Sequence, residues 1–209
     1  MKLTLLIIAI MLLVFAYESS LDNAGKFFDT YGFSGINMLE RPYVLITSIF
    51  VHGSITHLLS NILAMLFFGS AVESELGKAK TLAIFTLGAI AGDIFSLLVY
   101  PFDAISVGAS AGIFALIGLG ILVKPFDLSL YPFIFPVPLA LVGMLYIIYN
   151  LYGLFFDVET NISYAGHFGG MVVGLLAGFR RQGFKKSMKI IIISLLLLLA
   201  IPIILSLIS

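Results

Sequence analysis

Long apolar stretches, separated by short polar or glycine- and proline-marked breaks, organise this chain from end to end. They lie at about 3–17, 55–72, 79–100, 107–123, 132–156, 162–179 and 188–208. None alternates with period two, so each predicts a helix rather than a barrel strand. A hydrocarbon core of roughly 30 Å needs about 20 apolar residues per helix, and all of these runs approach that length. Among the polar residues inside them are His57 and Asn61 in the second, Asp93 in the third, Ser110 in the fourth and His167 in the sixth. The one large connection, about 18–54, is apolar toward its end (Tyr43-Val44-Leu45-Ile46, then Ile49-Phe50-Val51). Part of it is therefore expected to lie against the membrane or the bundle. Pro132, Pro136 and Pro138 mark the start of the fifth run, where a kink or a late helix start is predicted.

Composition turns this pattern into a class. Of 209 residues, 61% are hydrophobic and 11% charged, too little polar surface to cover a soluble core. Backbone groups in lipid must bond internally, so the fold class is all-α: a polytopic membrane helix bundle using nearly the whole chain. The first run, after Lys2, is short enough for a signal peptide with Ala16 near a cleavage position; a bundle needs it, and it is read as the first helix. With the N-terminus inside, the cytoplasmic segments carry Lys2, Lys78, Lys80, Lys124, Arg180, Arg181, Lys185, Lys186 and Lys189, leaving Lys26 and Arg41 outside. That bias predicts a cytoplasmic N-terminus. The absence of cysteine removes disulfides and thiolate chemistry, and zero net charge argues against a nucleic-acid partner.

Small residues and polar residues then converge. Gly166, Gly170, Gly174 and Gly178 recur every fourth residue on the sixth helix, and Gly108, Gly112, Ala111 and Ala115 offer a matching face on the fourth. Such stripes let helix backbones approach closely in lipid. In this topology His57, Asn61, Ser110 and His167 all lie early in helices entering from the outer side, within roughly 10 Å of that boundary at about 1.5 Å per residue. Polar side chains at such depth are costly unless inward-facing and satisfied. Ser110 needs a base to become a nucleophile, and His167 is the residue type that supplies one near neutral pH. His57, Asn61 and the Ser110 amide at a helix N-terminus are the donors expected to stabilise an oxyanion.

At these residues the chain resembles the rhomboid intramembrane serine proteases. The resemblance rests on Phe50-Val51-His52-Gly53-Ser54, His57-Leu58-Leu59-Ser60-Asn61, Gly69, Glu73, Gly108-Ala109-Ser110, Gly166-His167-Phe168-Gly169-Gly170 and Gly174. It implies a six-helix core over residues 1–180, followed by a basic linker and a seventh transmembrane helix in 181–209. It further implies Ser110 as nucleophile, His167 as general base, an oxyanion site of His57, Asn61 and the Ser110 amide, and supporting roles for Gly108, His52 and Phe114. His52 would organise water and loop near the site, Phe114 would stack on His167 where relatives often have tyrosine, and Glu73 would tie the inner end of the second helix to its surroundings. Ala111-Gly112 reverses the usual order after the serine, and Tyr43-Val44 replaces a Trp-Arg pair of many relatives.

The expected activity is hydrolysis of peptide bonds in or near transmembrane segments of membrane proteins, with no cofactor and no metal. The implied setting is the cell membrane, with the site opening to the extracytoplasmic side. The alternative is an inactive rhomboid-like protein that binds or escorts membrane proteins; such relatives typically lose the serine or histidine, and this chain keeps both. A metal site from His52, His57 and His167 lacks the i, i+4 spacing of a helical metal motif. An aspartyl protease lacks a partner for Asp93. Asp157 and Glu159, which precede the sixth helix, are left out of the site, and Asp93 is read as bonding within the bundle.

Overall fold

The computed structural model describes residues 1–128, 137–156 and 162–208, and the elements among them are helical. Helix α1 (Lys2–Ser19) is followed, in the large connection, by α2 (Ala24–Tyr31), α3 (Gly35–Glu40), α4 (Val44–Thr47) and a 3-10 turn at Ser48–Phe50. The second apolar run forms α5 (Ile55–Ala64) and α6 (Ser70–Leu76), joined by a π-helical stretch at Met65–Gly69. Then come α7 (Lys78–Ser96), α8 (Ser110–Val123), α9 (Leu139–Phe156), α10 (Tyr164–Gln182) and α11 (Phe184–Ile208). The chain is a polytopic membrane helix bundle. Helix α1, the rod Ile55–Leu76, α7 and α9 are each long and apolar enough to cross a membrane.

Local chemistry sets the helix ends. The Ser54 hydroxyl accepts the His57 amide and the Ser163 hydroxyl accepts the Gly166 amide, capping α5 and α10. Helix α7 stops at Ser96 rather than near 100, because Pro101 disfavours helical geometry at Tyr100 before it. Helix α8 starts at Ser110 rather than 107, because Gly108 has φ 116°, outside helical space. Helix α9 begins directly after Pro138; Pro132 and Pro136 lie outside the described residues. The basic stretch after 180 is itself helical apart from Gly183, where α10 gives way to α11.

Every α8 residue after Ser110 is buried, and α5, α6, α7, α9, α10 and α11 all pack against this central helix. Its 14 residues reach about 21 Å, short of a hydrocarbon core of roughly 30 Å. Lys124, just past its C-terminus, donates to Ser74 Oγ at 2.7 Å and pairs with Asp127 at 3.2 Å, which anchors that end in a polar layer. Helix α8 is thus shorter than the apolar helices around it, and Ser110 is its first residue.

Close approach of α10 to α8 needs glycine on both helices: an added Cβ on Gly118 of α8 would lie 2.8 Å from the Met171 carbonyl oxygen, and two glycines of α10 are placed as tightly. A Cβ on Gly170 would strike the Ala111 carbonyl oxygen, and one on Gly174 the Ala115 carbonyl oxygen. Around this core, Leu5, Leu6 and Leu13 of α1, Leu145 and Phe155 of α9 and Leu196 of α11 face outward, the surface expected against lipid. The large connection is split between two environments: Val44, Ile49 and Val51 are buried, whereas Leu39, Tyr43 and Ile46 are exposed.

Candidate active site

Ser110 is the first residue of α8 and His167 lies in the first turn of α10. The glycine contacts that draw these helices together bring Ser110 Oγ within 2.8 Å of His167 Nε2. Phe114, one turn beyond Ser110, stacks on the imidazole with ring centroids 4.3 Å apart and planes 12° from parallel. Ala111 is accommodated because its side chain faces Gly92 of α7, where an added Cβ would lie 2.6 Å from the Ala111 Cβ. Gly112 instead faces Phe85, whose carbonyl oxygen would lie 2.6 Å from an added Cβ. The reversed Ala-Gly order thus follows the partners each residue meets.

The segment before Ser110 is held by the large connection. Phe33 and Ser106 exchange backbone hydrogen bonds of 2.9 and 2.7 Å, and the Gly108 amide donates to the Ser48 carbonyl at 2.9 Å. The Ser48 hydroxyl also reaches Asp93 Oδ2 at 3.4 Å, so Asp93 bonds within the bundle. The His57 ring stands against Gly108, where a Cβ would lie 2.6 Å from Cε1 and 2.7 Å from Nε2. Asn61, one turn along α5 and buried, uses one N–H of its amide to donate to the His57 carbonyl at 2.8 Å.

His52 lies beside this group, its ring centroid 5.1 Å from that of His57. Its backbone N–H donates to Glu18 Oε2 at 3.3 Å, and its Nδ1 donates to the Phe50 carbonyl at 3.1 Å. Nε2 is buried and has no hydrogen-bond partner among the described residues. Burial, and secondarily the neighbouring His57, push the His52 pKa down to about 4, so the ring is neutral near pH 7.

One residue at the site escaped sequence reasoning. Asn150, fully buried in α9, has Oδ1 2.9 Å from His167 Nδ1 and donates through Nδ2 to the Tyr164 carbonyl at 3.1 Å. The signal was present: Asn150 is the only amide in the apolar run Leu139–Phe156, and a polar group at membrane depth is a functional candidate by default. Attention to charged third partners, Asp157 and Glu159, passed over a neutral one. Those two lie outside the described residues.

Chemically, the arrangement pairs a hydroxyl with an imidazole at the start of a helix whose N-cap, Ala109, makes no side-chain capping bond. First-turn amides of α8 therefore point toward the region beside Ser110 Oγ, where a developing negative charge would be favoured. Among the described residues, no three His, Cys, Asp or Glu side chains group as a metal site.

Residues 39–184 match the rhomboid domain family. The chain belongs to the rhomboid family. Among its relatives are RHOMBOID-like protein 12, mitochondrial, of Arabidopsis thaliana, 29% identical over 161 residues that cover 68% of this chain and 48% of the relative. Rhomboid protease GluP of Bacillus subtilis is 35% identical over 136 residues, 64% of this chain and 25% of GluP. Rhomboid protein 1, mitochondrial, of Saccharomyces cerevisiae is 34% identical over 155 residues, 68% of this chain and 44% of the relative. This rhomboid thus corresponds to between a quarter and about half of each of these proteins. The rhomboid match takes in α4 through α10, and with them Ser110, His167, His57, Asn61 and Asn150.

Proposed function

We propose that this rhomboid is an intramembrane serine endopeptidase that cleaves transmembrane segments of other membrane proteins. The observation that carries the reading is the 2.8 Å hydrogen bond between Ser110 Oγ and His167 Nε2, formed at the start of α8. Ser110 Oγ adds to the carbonyl carbon of the scissile peptide while His167 Nε2 takes the hydroxyl proton. The negative charge on the former carbonyl oxygen is met by the Ser110 amide, with His57 and Asn61 as further donors. His167 then returns the proton to the leaving amine, and water hydrolyses the acyl-enzyme with the same imidazole as base. His52 and Phe114 support this chemistry through the neighbouring rings, and Gly108 makes room for His57.

The substrate is the membrane-embedded segment of another protein, unwound to an extended strand at the site. Access between α5 and α9, both packed on α8, is the route taken over from the family resemblance. We assign residues 1–180 to the protease core and 181–209 to a basic linker and seventh transmembrane helix. The Lys/Arg bias supports a cytoplasmic N-terminus in the cell membrane, with the site opening to the extracytoplasmic side.

Fluorophosphonate labelling of the purified chain tests the reading without a known substrate. Wild-type protein is expected to be modified on Ser110, with modification lost in Ser110→Ala and reduced at least a hundredfold in His167→Ala. Equal labelling in His167→Ala argues against an activated serine. No labelling of folded wild type favours an inactive protein that binds membrane proteins.

A further inference from the structure

Asn150 has both ends of its amide engaged inside the bundle, and the two bonds together decide the protonation of His167. The Tyr164 carbonyl oxygen, 3.1 Å from the amide, is an acceptor only, so the NH2 end of Asn150 must face it. That leaves Oδ1, also an acceptor only, facing His167 Nδ1 at 2.9 Å. The imidazole must therefore carry its proton on Nδ1. A neutral ring protonated there has its lone pair on Nε2, the nitrogen 2.8 Å from Ser110 Oγ, and the hydroxyl donates to it. The opposite tautomer would set an N–H against the hydroxyl and a lone pair against Oδ1.

We propose that Asn150 is a positioning residue that fixes the tautomer and ring plane of His167, a role that rests on the reading of Ser110 and His167 as nucleophile and base. Phe114, stacked at 4.3 Å, restrains tilt of the ring, while Asn150 sets its rotation. An amide suits the place better than a carboxylate. Asn150 is fully buried, where an unpaired charge in the resting state is costly. Its oxygen still accepts from Nδ1–H when the ring takes the serine proton. Each proton stays accounted for: Nδ1–H is retained throughout, and Nε2 alone gains and returns one.

The chain has three histidines, so 15N-histidine NMR of the whole protein in lipid nanodiscs resolves the question, with His167 assigned by its loss in His167→Ala. The inference expects a protonated Nδ1 and a bare Nε2 in wild type near pH 7; a protonated Nε2 overturns it without any variant having to fold. In folded Asn150→Leu, the His167 signals should redistribute between tautomers, and Ser110 phosphonylation should slow about tenfold, the loss of one restraining hydrogen bond. Asn150→Asp keeps an acceptor toward Nδ1 but loses the donor to the Tyr164 carbonyl and buries a charge, so it should retain the Nδ1–H tautomer while restoring the rate only in part. An unchanged tautomer and a wild-type labelling rate in Asn150→Leu would overturn the positioning role while leaving the protease reading intact. Absence of labelling in folded wild type overturns the protease reading and this role with it, even where the spectrum gives Nδ1–H.

Discussion

A serine hydroxyl in a membrane helix ordinarily bonds back to the preceding turn, which is why Ser110 alone carries little information. What distinguishes it is position: it begins α8, so no preceding helical turn is present, and its Oγ is paired with His167 instead. Gly108 has an equally local explanation. Its φ of 116° and the His57 ring 2.6 Å from its virtual Cβ leave no room for a side chain. Gly108→Ala is expected to displace His57 and lower the cleavage rate of a reporter transmembrane substrate about 10- to 100-fold, roughly 1.4–2.7 kcal/mol in the barrier. Gly53→Ala, whose Cβ would meet nothing within 4 Å, is the matched control. A Gly108→Ala protein as active as that control would remove His57 from the site. Ser110, His167, His57, Asn61 and Phe114 were legible because each is either a rare polar residue in an apolar run or one turn from such a residue. Asn150 is equally rare in its run, but its bond to His167 joins two different helices and no spacing along the chain pairs them.

Between elements, the α8–α10 interface sets the distance on which the site depends. At Gly174, one turn deeper than Gly170, an added Cβ would strike the Ala115 carbonyl oxygen. Gly174→Val should therefore push the helices apart and destabilise the bundle by about 1–3 kcal/mol, read as a lower thermal midpoint in detergent. It should also slow Ser110 labelling although Gly174 touches neither Ser110 nor His167. A wild-type midpoint and labelling rate would mean that close approach is not required there. Helix positions followed from apolar runs, but their ends did not: α8 starts late because of Gly108, and α7 stops early because of Pro101. Hydropathy reports which residues tolerate lipid, whereas helix ends depend on φ and on backbone hydrogen-bond donors.

Across the whole molecule, α1 is tied to α6 by Glu73. Its buried carboxylate accepts the Leu3 and Thr4 amides at 3.0 and 2.9 Å and the Thr4 hydroxyl at 2.8 Å. Glu73→Ala leaves first-turn donors of α1 unsatisfied and is expected to cost about 1–3 kcal/mol, measured by thermal denaturation and by faster proteolysis near α1. Unchanged stability would make the contact dispensable. Orientation can be mapped without background, because the chain has no cysteine. With a cytoplasmic N-terminus, a membrane-impermeant maleimide should label Lys26→Cys in intact cells and Lys185→Cys only after permeabilisation. The reverse pattern would invert the topology.

From the sequence alone came the class of the molecule, a helical membrane bundle, the order of its spans, and the serine and histidine that stand out within them. These follow from local properties, since solubility in lipid and the scarcity of polar groups are carried by individual residues and short runs. Tertiary structure alone decided the rest: the approach of Ser110 to His167 across two helices, the fit of Ala111 against Gly92, the hold of Glu73 on the Leu3 and Thr4 amides of α1, and the bond from Asn150 to His167. Each joins residues distant in sequence. Their geometry depends on how closely two backbones approach and on which acceptor faces which donor, and neither is encoded in the hydropathy of a single run.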